Sequence, residues 1–510
     1  MTLRSARDKA TLCASMAWLT LVCSPAAQAQ EAAPPTTLPE QAPAETPAVP
    51  PVAEPEAPPV IEAPPPVAPA PAPVEAAAMA PAEAPAPPPP AKPEPAPAPT
   101  PPPPPPLKFG ATLFTRYELR SGDLPVIGNR PLNADTIFYR TRVSITSAPL
   151  DLGGGLSSSV YFEPQASGAY DVGGDLSDIG LGLHQGFLSL MSAGYKMDIG
   201  RFELAYGDHL VLGSVPWHQT GRAFNGGRIH VASSPESAYL DLFVTLLDEG
   251  KLDGAMQQPG KSYIGSRDQY FVGAYAGLGP ALGKLDLDLY LLSKISFGGP
   301  LTTVGMNDMG EMTTKTVDAD PAARLTLGTR IKQSVGVLDY RLEAGIQAGA
   351  IQVDNTTAKV FAYQADGEVG VKAGSAVRLA AHGFIASGDD AKTRTNTAWD
   401  QLYPTAHKFL GLTDVFGGRS NVAGAALHAT IAFSPTLKAA IDGHTFFRPE
   451  PAMGKKSYTG SEVDVGLAYA IAPSLFLKGL YGAFIPSKNG QFGTDKVQHY
   501  LEVELSQVIK

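Results

Sequence analysis

Thiols are almost missing from this 510-residue chain, whose two cysteines, Cys13 and Cys23, both fall in the first 29 residues. Those residues read as a secretory signal peptide. Arg4, Arg7 and Lys9 form the basic start, Thr11 to Cys23 the apolar run, and Ala27-Gln28-Ala29 the small-residue cleavage site before Gln30. Lipoprotein processing at Cys23 is disfavoured by the bulk of Val22. A mature chain beginning at Gln30 carries no thiol, which excludes disulfides and cysteine-based catalysis. No later run of about 18 uninterrupted apolar residues occurs, so transmembrane helices are excluded. Phosphate-binding glycine loops and nucleophile elbows are absent, and no His pair has the spacing of a zinc-binding helix. Basic surfaces are also lacking. The net charge of −10 divides into +2 for residues 1–29 (three basic, one acidic) and −8 for residues 31–106 (one Lys, nine Glu), leaving −4 for residues 107–510. Nothing there suits nucleic acid. An exported chain without a spanning helix is periplasmic, secreted, or an outer-membrane β-barrel.

Proline, by contrast, is plentiful and badly distributed. About two thirds of the 49 prolines crowd between Glu31 and Pro106, among Ala, Glu and Val. Such a stretch has nothing to build a core from and stays disordered or adopts polyproline II. At ~3.1 Å per residue, roughly 75 residues reach on the order of 200 Å. The stretch reads as a solvated spacer, or as a tether across the periplasm toward peptidoglycan or an inner-membrane partner.

From Leu107 the texture changes to period-two alternation, the signal of strands. Phe114, Arg116, Glu118 and Arg120 alternate with Leu113, Thr115, Tyr117 and Leu119; Arg140 and Arg142 alternate with Tyr139, Thr141 and Val143. Asp286, Asp288 and Tyr290 oppose a leucine parity, Arg341, Glu343 and Gln347 oppose Tyr340, Leu342 and Ile346, and Glu462 and Asp464 oppose Val463 and Val465. Connections alternate in length. Short ones fall near Ser192–Gly194, Gln333–Ser334 and Ala472–Ser474, and longer ones near Ser121–Asp135, Pro164–Gly180, Gly207–Asn225, Glu249–Arg267, Gly298–Ala322, Val353–Ala358 and Ser387–Arg419. Membrane barrels have short periplasmic turns and longer external loops. A secreted sandwich or propeller also alternates, but not with charged faces across many strands and connections of alternating length. The expectation is an all-β protein: a transmembrane antiparallel β-barrel of about 18 strands over residues 107–510. Before it come a signal segment (1–29) and a disordered Pro/Ala/Glu-rich periplasmic linker (30–106), and both barrel ends lie on the periplasmic side.

Charges inside membrane strands need a wet face. Arg116, Arg120, Arg140, Arg142, Arg201, Arg228, Arg330, Arg341 and Arg378, with Glu203, Glu343, Glu462 and Asp464, are placed by parity along the lumen as a substrate path. Arginine suits anion passage and bidentate carboxylate contacts. The same arginines, paired with Glu118, Glu163 and the acidic residues just named, would equally serve as struts holding the barrel open. In the Ser387–Arg419 loop, Asp389, Asp390, Asp400, His407 and Asp414 raise the question of a Ca²⁺ or hydrolytic site. The EF-hand spacing is absent, and an exposed external loop holding Asp389, Asp390, Tyr403, His407 and Asp414 is expected instead. No cofactor, metal or catalytic residue is assigned.

The stretch Gly200 to Ile229, GRFELAYGDHLVLGSVPWHQTGRAFNGGRI, runs from strand through a Gly- and aromatic-rich loop to a strand at Arg228. With the Ser-Gly-Asp at 387–389, the Tyr-Pro-Thr-x-His at 403–407, His444 with Phe446, and Gly460-x-Glu462-x-Asp464, it resembles the alginate-export family of outer-membrane barrels. The resemblance implies export of an anionic, alginate-like polysaccharide through an Arg-lined lumen in a Gram-negative outer membrane, with lipid as surroundings. Rival readings are a general porin for small anions or oligosaccharides, an outer-membrane enzyme with an external catalytic cluster, and a wall anchor with a plugged barrel.

Overall fold

The computed structural model describes residues 106–122, 124, 135–171, 176–234, 237–248, 269–282, 285–297, 299–306, 312–319, 322–353, 356–405 and 407–509. The expected signal segment, and all of the expected linker except Pro106, lie outside these described residues.

The strands close into a single antiparallel barrel of 18. In chain order they are β1 (Leu107–Ser121), β2 (Asp135–Ser147, continued by a short rung at Leu150–Gly153), β3 (Leu156–Asp171), β4 (Leu176–Ser192), β5 (Tyr195–Phe202) and β6 (Phe224–Ala232). Next come β7 (Tyr239–Asp248), β8 (Gln269–Gly277), β9 (Asp286–Ser296), β10 (Ala322–Val335), β11 (Leu338–Val353) and β12 (Thr356–Ala373). The ring is completed by β13 (Val377–Ala386), β14 (Val422–Ala432), β15 (Leu437–Phe447), β16 (Tyr458–Ala472), β17 (Leu475–Pro486) and β18 (Gln498–Ile509). Each strand pairs with its sequence neighbours, and β18 returns to β1, with Ala111 opposite Ile509 and Arg120 opposite Tyr500. A ring of this kind leaves no unpaired edge, which is what a lipid environment demands of backbone N–H and C=O groups.

The alternation read from the sequence sorts the side chains as a barrel requires. Outward residues such as Leu113, Leu289, Leu342, Val463 and Leu467 are exposed, while their neighbours Phe114, Asp288, Glu343, Glu462 and Asp464 are buried inside. Phe109, Tyr195, Phe433 and Tyr469 are exposed near the rim of short turns, where aromatic girdles meet the membrane interface.

Two connections differ from expectation. The stretches Pro164–Gly180 and Val353–Ala358 are not long loops: β3 runs to Asp171 and β4 starts at Leu176, while β11 runs to Val353 and β12 starts at Thr356. Irregular pairing at Glu163/Pro164 and Ser167/Ala169 admits the proline into β3, since a bulge removes the need for its missing N–H. A separate hairpin, Gly299–Met306 with Met312–Ala319, lies in the connection between β9 and β10.

Candidate functional site

The interior is shaped by two long connections, residues 203–223 and 387–421. Three arginines of β1 and β2 grip the first. Arg116 Nη1 donates to the Trp217 carbonyl at 2.6 Å, Arg140 Nη1 to that of His218 at 2.8 Å, and Arg142 Nη2 to that of Thr220 at 3.3 Å. The Arg116 guanidinium also lies 4.3 Å from the Trp217 ring centroid, a cation–π contact. The other end of the same connection is anchored elsewhere: Asp208 accepts from Arg330 Nε and Lys332 Nζ on β10, both at 2.8 Å. In a closed ring of 18, β1 and β10 stand half a circumference apart. The connection therefore crosses the lumen.

The second connection does the same. Asp400 takes Lys294 Nζ of β9 at 2.8 Å, and Arg324 of β10 donates to the Ala398 carbonyl at 2.8 Å. Arg120 of β1 reaches Asp414 at 3.0 Å. On β16, Glu462 receives both the backbone N–H of Thr413 (2.8 Å) and its hydroxyl (2.6 Å). Arg419 donates to Asp366 of β12 at 2.5 Å, and Asp366 also pairs with Arg341 of β11 at 2.7 Å.

The two connections are also bonded to each other. Gly213 N–H donates to the Tyr403 carbonyl (2.8 Å), Tyr403 N–H to that of Val211 (3.1 Å), and Thr405 N–H to that of His209 (2.8 Å). The rings of Trp217 and His407 stack with centroids 4.5 Å apart. Apolar side chains complete the assembly. Phe202, Phe224, Phe271 and Tyr275 on the wall enclose Val211, Leu212 and Leu402. A second cluster joins Phe384, Phe446 and Phe484 to Trp399, Leu410 and Phe416. A polar lumen was expected, but connections folded inside need a core of their own, and these aromatics supply it.

Burial and charge balance oppose each other here. Burial pushes the Asp208 carboxyl upward, but Arg330 and Lys332 outweigh it and hold the group below the usual carboxylate range. The same contest, decided by Lys294, keeps Asp400 low. Arg222 and Arg448 are depressed to about 10 by burial.

Most of the strand arginines lie where parity placed them. Arg116, Arg120, Arg140, Arg142 and Arg330 are buried on the inner face with Glu343, Glu462 and Asp464. Arg228 pairs with Asp198 at 2.7 Å, Arg378 with Asp339 and Glu368, and Glu203 contacts His184 at 2.6 Å. Arg201 is the exception. It shares the outward face of β5 with Tyr195, Met197 and Ile199, whereas Asp198 and Phe202 point inward. It sits next to the last residue of that strand, donating to the Leu183 carbonyl (2.9 Å) and Asn225 Oδ1 (3.2 Å). An outward charge costs little near the interface, about 0–1 kcal/mol, so parity alone could not locate it. The loop expectation also needs correction. Asp389 is exposed and Asp390 half-exposed, but His407 and Asp414 are buried and hydrogen-bonded to each other at 2.7 Å. Tyr403 packs against the inner aromatic cluster. Arg222, Arg324, Arg419, Lys294, Asp208 and Asp366 were missed. Arg324, Lys294 and Asp366 share the inner parity of Arg330, Asp288 and Gln364 on their strands and were legible; the loop residues Arg222, Arg419 and Asp208 had no periodic frame to place them.

Gly411 holds the second connection at its closest approach to β16. Its φ is +86°, and a Cβ there would lie 2.6 Å from the Glu462 carboxylate. Gly411→Ala should cost about 1–2 kcal/mol of left-handed strain and dislodge the Thr413–Glu462 contact. Trp217 and Trp399 both lie in the inward connections, and the remaining tryptophan, Trp18, lies in the expected signal segment. Intrinsic fluorescence therefore reads the connections directly: acrylamide quenching should rise while the barrel stays heat-modifiable. Unchanged quenching would mean that the connection is not held at this point.

Residues 183–454 match the family described as Alginate export. No curated protein matches the chain. Among solved structures, OccK2 (OpdF) of Pseudomonas aeruginosa is similar with a TM-score of 0.53 and 14% identity, over 79% of this chain and 97% of that one. The BenF-like porin of Pseudomonas fluorescens Pf-5 gives 0.52 and 13%, over 79% and 99%. OprD of P. aeruginosa gives 0.51 and 9%, over 79% and 94%. At these identities the likeness is one of fold. OccK2 is also known in complex with glucuronate.

Proposed function

Since the chain belongs to the alginate-export family of Gram-negative outer-membrane barrels, we propose that it is a channel for uronate-containing anions, with an alginate-like polysaccharide as the first candidate. One observation carries this reading. The guanidiniums of Arg222, Arg324 and Arg448 are held by carbonyl and amide oxygens: Gly213 and Pro404 for the first, Ala398, Asn396 and Gln347 for the second, Ser420, Asn421 and Gln491 for the third. Among the described residues none of the three makes a contact ion pair. A guanidinium held by neutral oxygens keeps more of its positive field than one pressed against a carboxylate, which is largely neutralised. Anions would meet that field while shedding part of their hydration.

The likeness in fold to OccK2, which is known with glucuronate, supports a second reading in which small uronates rather than a polymer pass. The stretch 30–106 is read as a periplasmic spacer on its composition alone.

In planar bilayers under a KCl gradient the reversal potential should report anion preference. Oligouronates should block current at lower concentration than neutral dextrins of equal length. Replacing Arg222, Arg324 and Arg448 together by Gln should lower the anion-to-cation permeability ratio several-fold, and added salt should blunt the wild-type preference. A cation-selective wild-type channel indifferent to oligouronates would overturn the reading. Liposome flux of glucuronate against a long polyuronate separates the two substrates.

A further inference from the structure

The inner wall at β14 and β15 carries a cluster that passage of an anion does not use. His428 and Asp442 are a directly opposed cross-strand pair, with Nδ1 and Oδ1 at 2.7 Å. His444 follows Asp442 by two residues and so shares its face, standing diagonally from His428 with ring centroids 5.5 Å apart. One ligand-capable atom from each of the three lies within 4.8 Å of the others. Next to them, Asp464 of β16 stands 3.4 Å from His444 Nε2, and His382 of β13 lies 5.6 Å from the His428 ring.

A hydrogen-bonded His–Asp pair alone would be ordinary polar packing. His444 is different: it is 7% exposed, and its Nδ1 has no hydrogen-bond partner. A buried imidazole nitrogen left unpaired is destabilising, and here it stands beside two further donors on a wall that ions can reach, since His428 and Asp442 remain partly exposed. We propose that His428, Asp442 and His444 form a binding site for one borderline divalent transition-metal ion, such as Zn²⁺, on the inner wall of the barrel. Two imidazoles and one carboxylate suit such an ion and not Mg²⁺ or Ca²⁺, which prefer oxygen throughout. Ligands about 2.1 Å from a tetrahedral ion lie roughly 3.4 Å apart, so small side-chain rotations close the set. Asp464, which accepts from the Leu412 N–H at 3.3 Å, links the site to the second inward connection. The inference is independent of which anion passes.

The full-length barrel in detergent, cleared of metal by a chelator, is titrated calorimetrically with ZnCl₂ and separately with MgCl₂. One Zn²⁺ per chain is expected, with a Kd on the order of 1 µM or tighter, and no heat from Mg²⁺. His444→Gln and Asp442→Asn should each weaken binding roughly tenfold or more. His499→Gln, a histidine exposed beside Tyr481 on the outward face of β18, should leave it unchanged. Zn²⁺ binding that survives His428→Gln with His444→Gln in a heat-modifiable barrel would overturn the proposal. So would absence of binding at about 1 mM metal. Should those variants not fold, Co²⁺ added to the wild-type chain decides: a tetrahedral d–d absorption band supports the site, and its absence overturns it.

Discussion

Excision of residues 390–418, with Asp389 joined to Arg419 by a short Gly-Ser turn, is expected to leave a folded barrel and raise single-channel conductance several-fold. The closed ladder does not depend on this segment, which adds only a two-residue parallel rung to β12 at Thr395–Asn396: β13 pairs directly with β14, from Val377 opposite Ile431 to Ala386 opposite Val422. Wall charges that lose their partners, such as Glu462, Lys294 and Arg324, would be hydrated by the water that replaces the segment. That outcome differs from a dry core, where the same loss would leave them uncompensated. A barrel of this strand number encloses an aqueous channel when nothing occupies it, and here the segment spans from β1 to β9 and β10. Anion selectivity should weaken as well, since the deletion removes the Ala398 and Asn396 oxygens that fix Arg324. Conductance unchanged in a folded deletion would mean that residues 203–223 alone limit the passage.

Asp366→Ala should be the most destabilising single substitution in the interior. The side chain is fully buried and takes Arg419 at 2.5 Å, Arg341 at 2.7 Å and His382 at 3.0 Å. Removing it strands two guanidiniums at once, and breaking a buried pair costs about 3–5 kcal/mol. The temperature at which the barrel loses heat-modifiable mobility should fall, and tryptophan quenching should rise as Arg419 releases its connection. Asp366→Asn keeps an acceptor oxygen and should fall between wild type and Ala. Equal behaviour of Ala and wild type would show that Arg419 and Arg341 find water or other partners without loss.

What the sequence made legible follows from where periodicity operates. A strand has a period of two, so the parity of Arg116, Arg140, Arg330 or Glu462 located each of them without any contact being known. The ring and its strand number came from the same regularity, joined to the alternation of turn and loop. Parity failed at Arg201 because a strand end permits charges on either face. It could say nothing of residues 203–223 and 387–421, which have no period. Their Gly, Trp and Tyr content read as exposed loop, yet Arg116, Arg140 and Arg142 already stood on the wall, in excess of the carboxylates beside them on their own strands. Such a surplus asks for acceptors, and the carbonyls of Trp217, His218 and Thr220 are those acceptors. Whether loop backbone or substrate would fill that role was beyond the pattern.

The seam between β1 and β18 sets a condition on assembly. Leu113 lies opposite Gln507, and Arg120 opposite Tyr500, so the closing rung joins the first and last strands of the whole array. Until β18 is in place, β1 and β17 each present an open row of backbone donors and acceptors, the form most prone to pair with another chain. Neighbouring strands zip locally, but the final closure is the most distant contact in the chain and the slowest in kind. A partial array therefore keeps two open edges until β18 pairs with both β1 and β17. Loss of Gln498–Ile509 would yield an open sheet that exposes two edges to its neighbours, not a smaller ring.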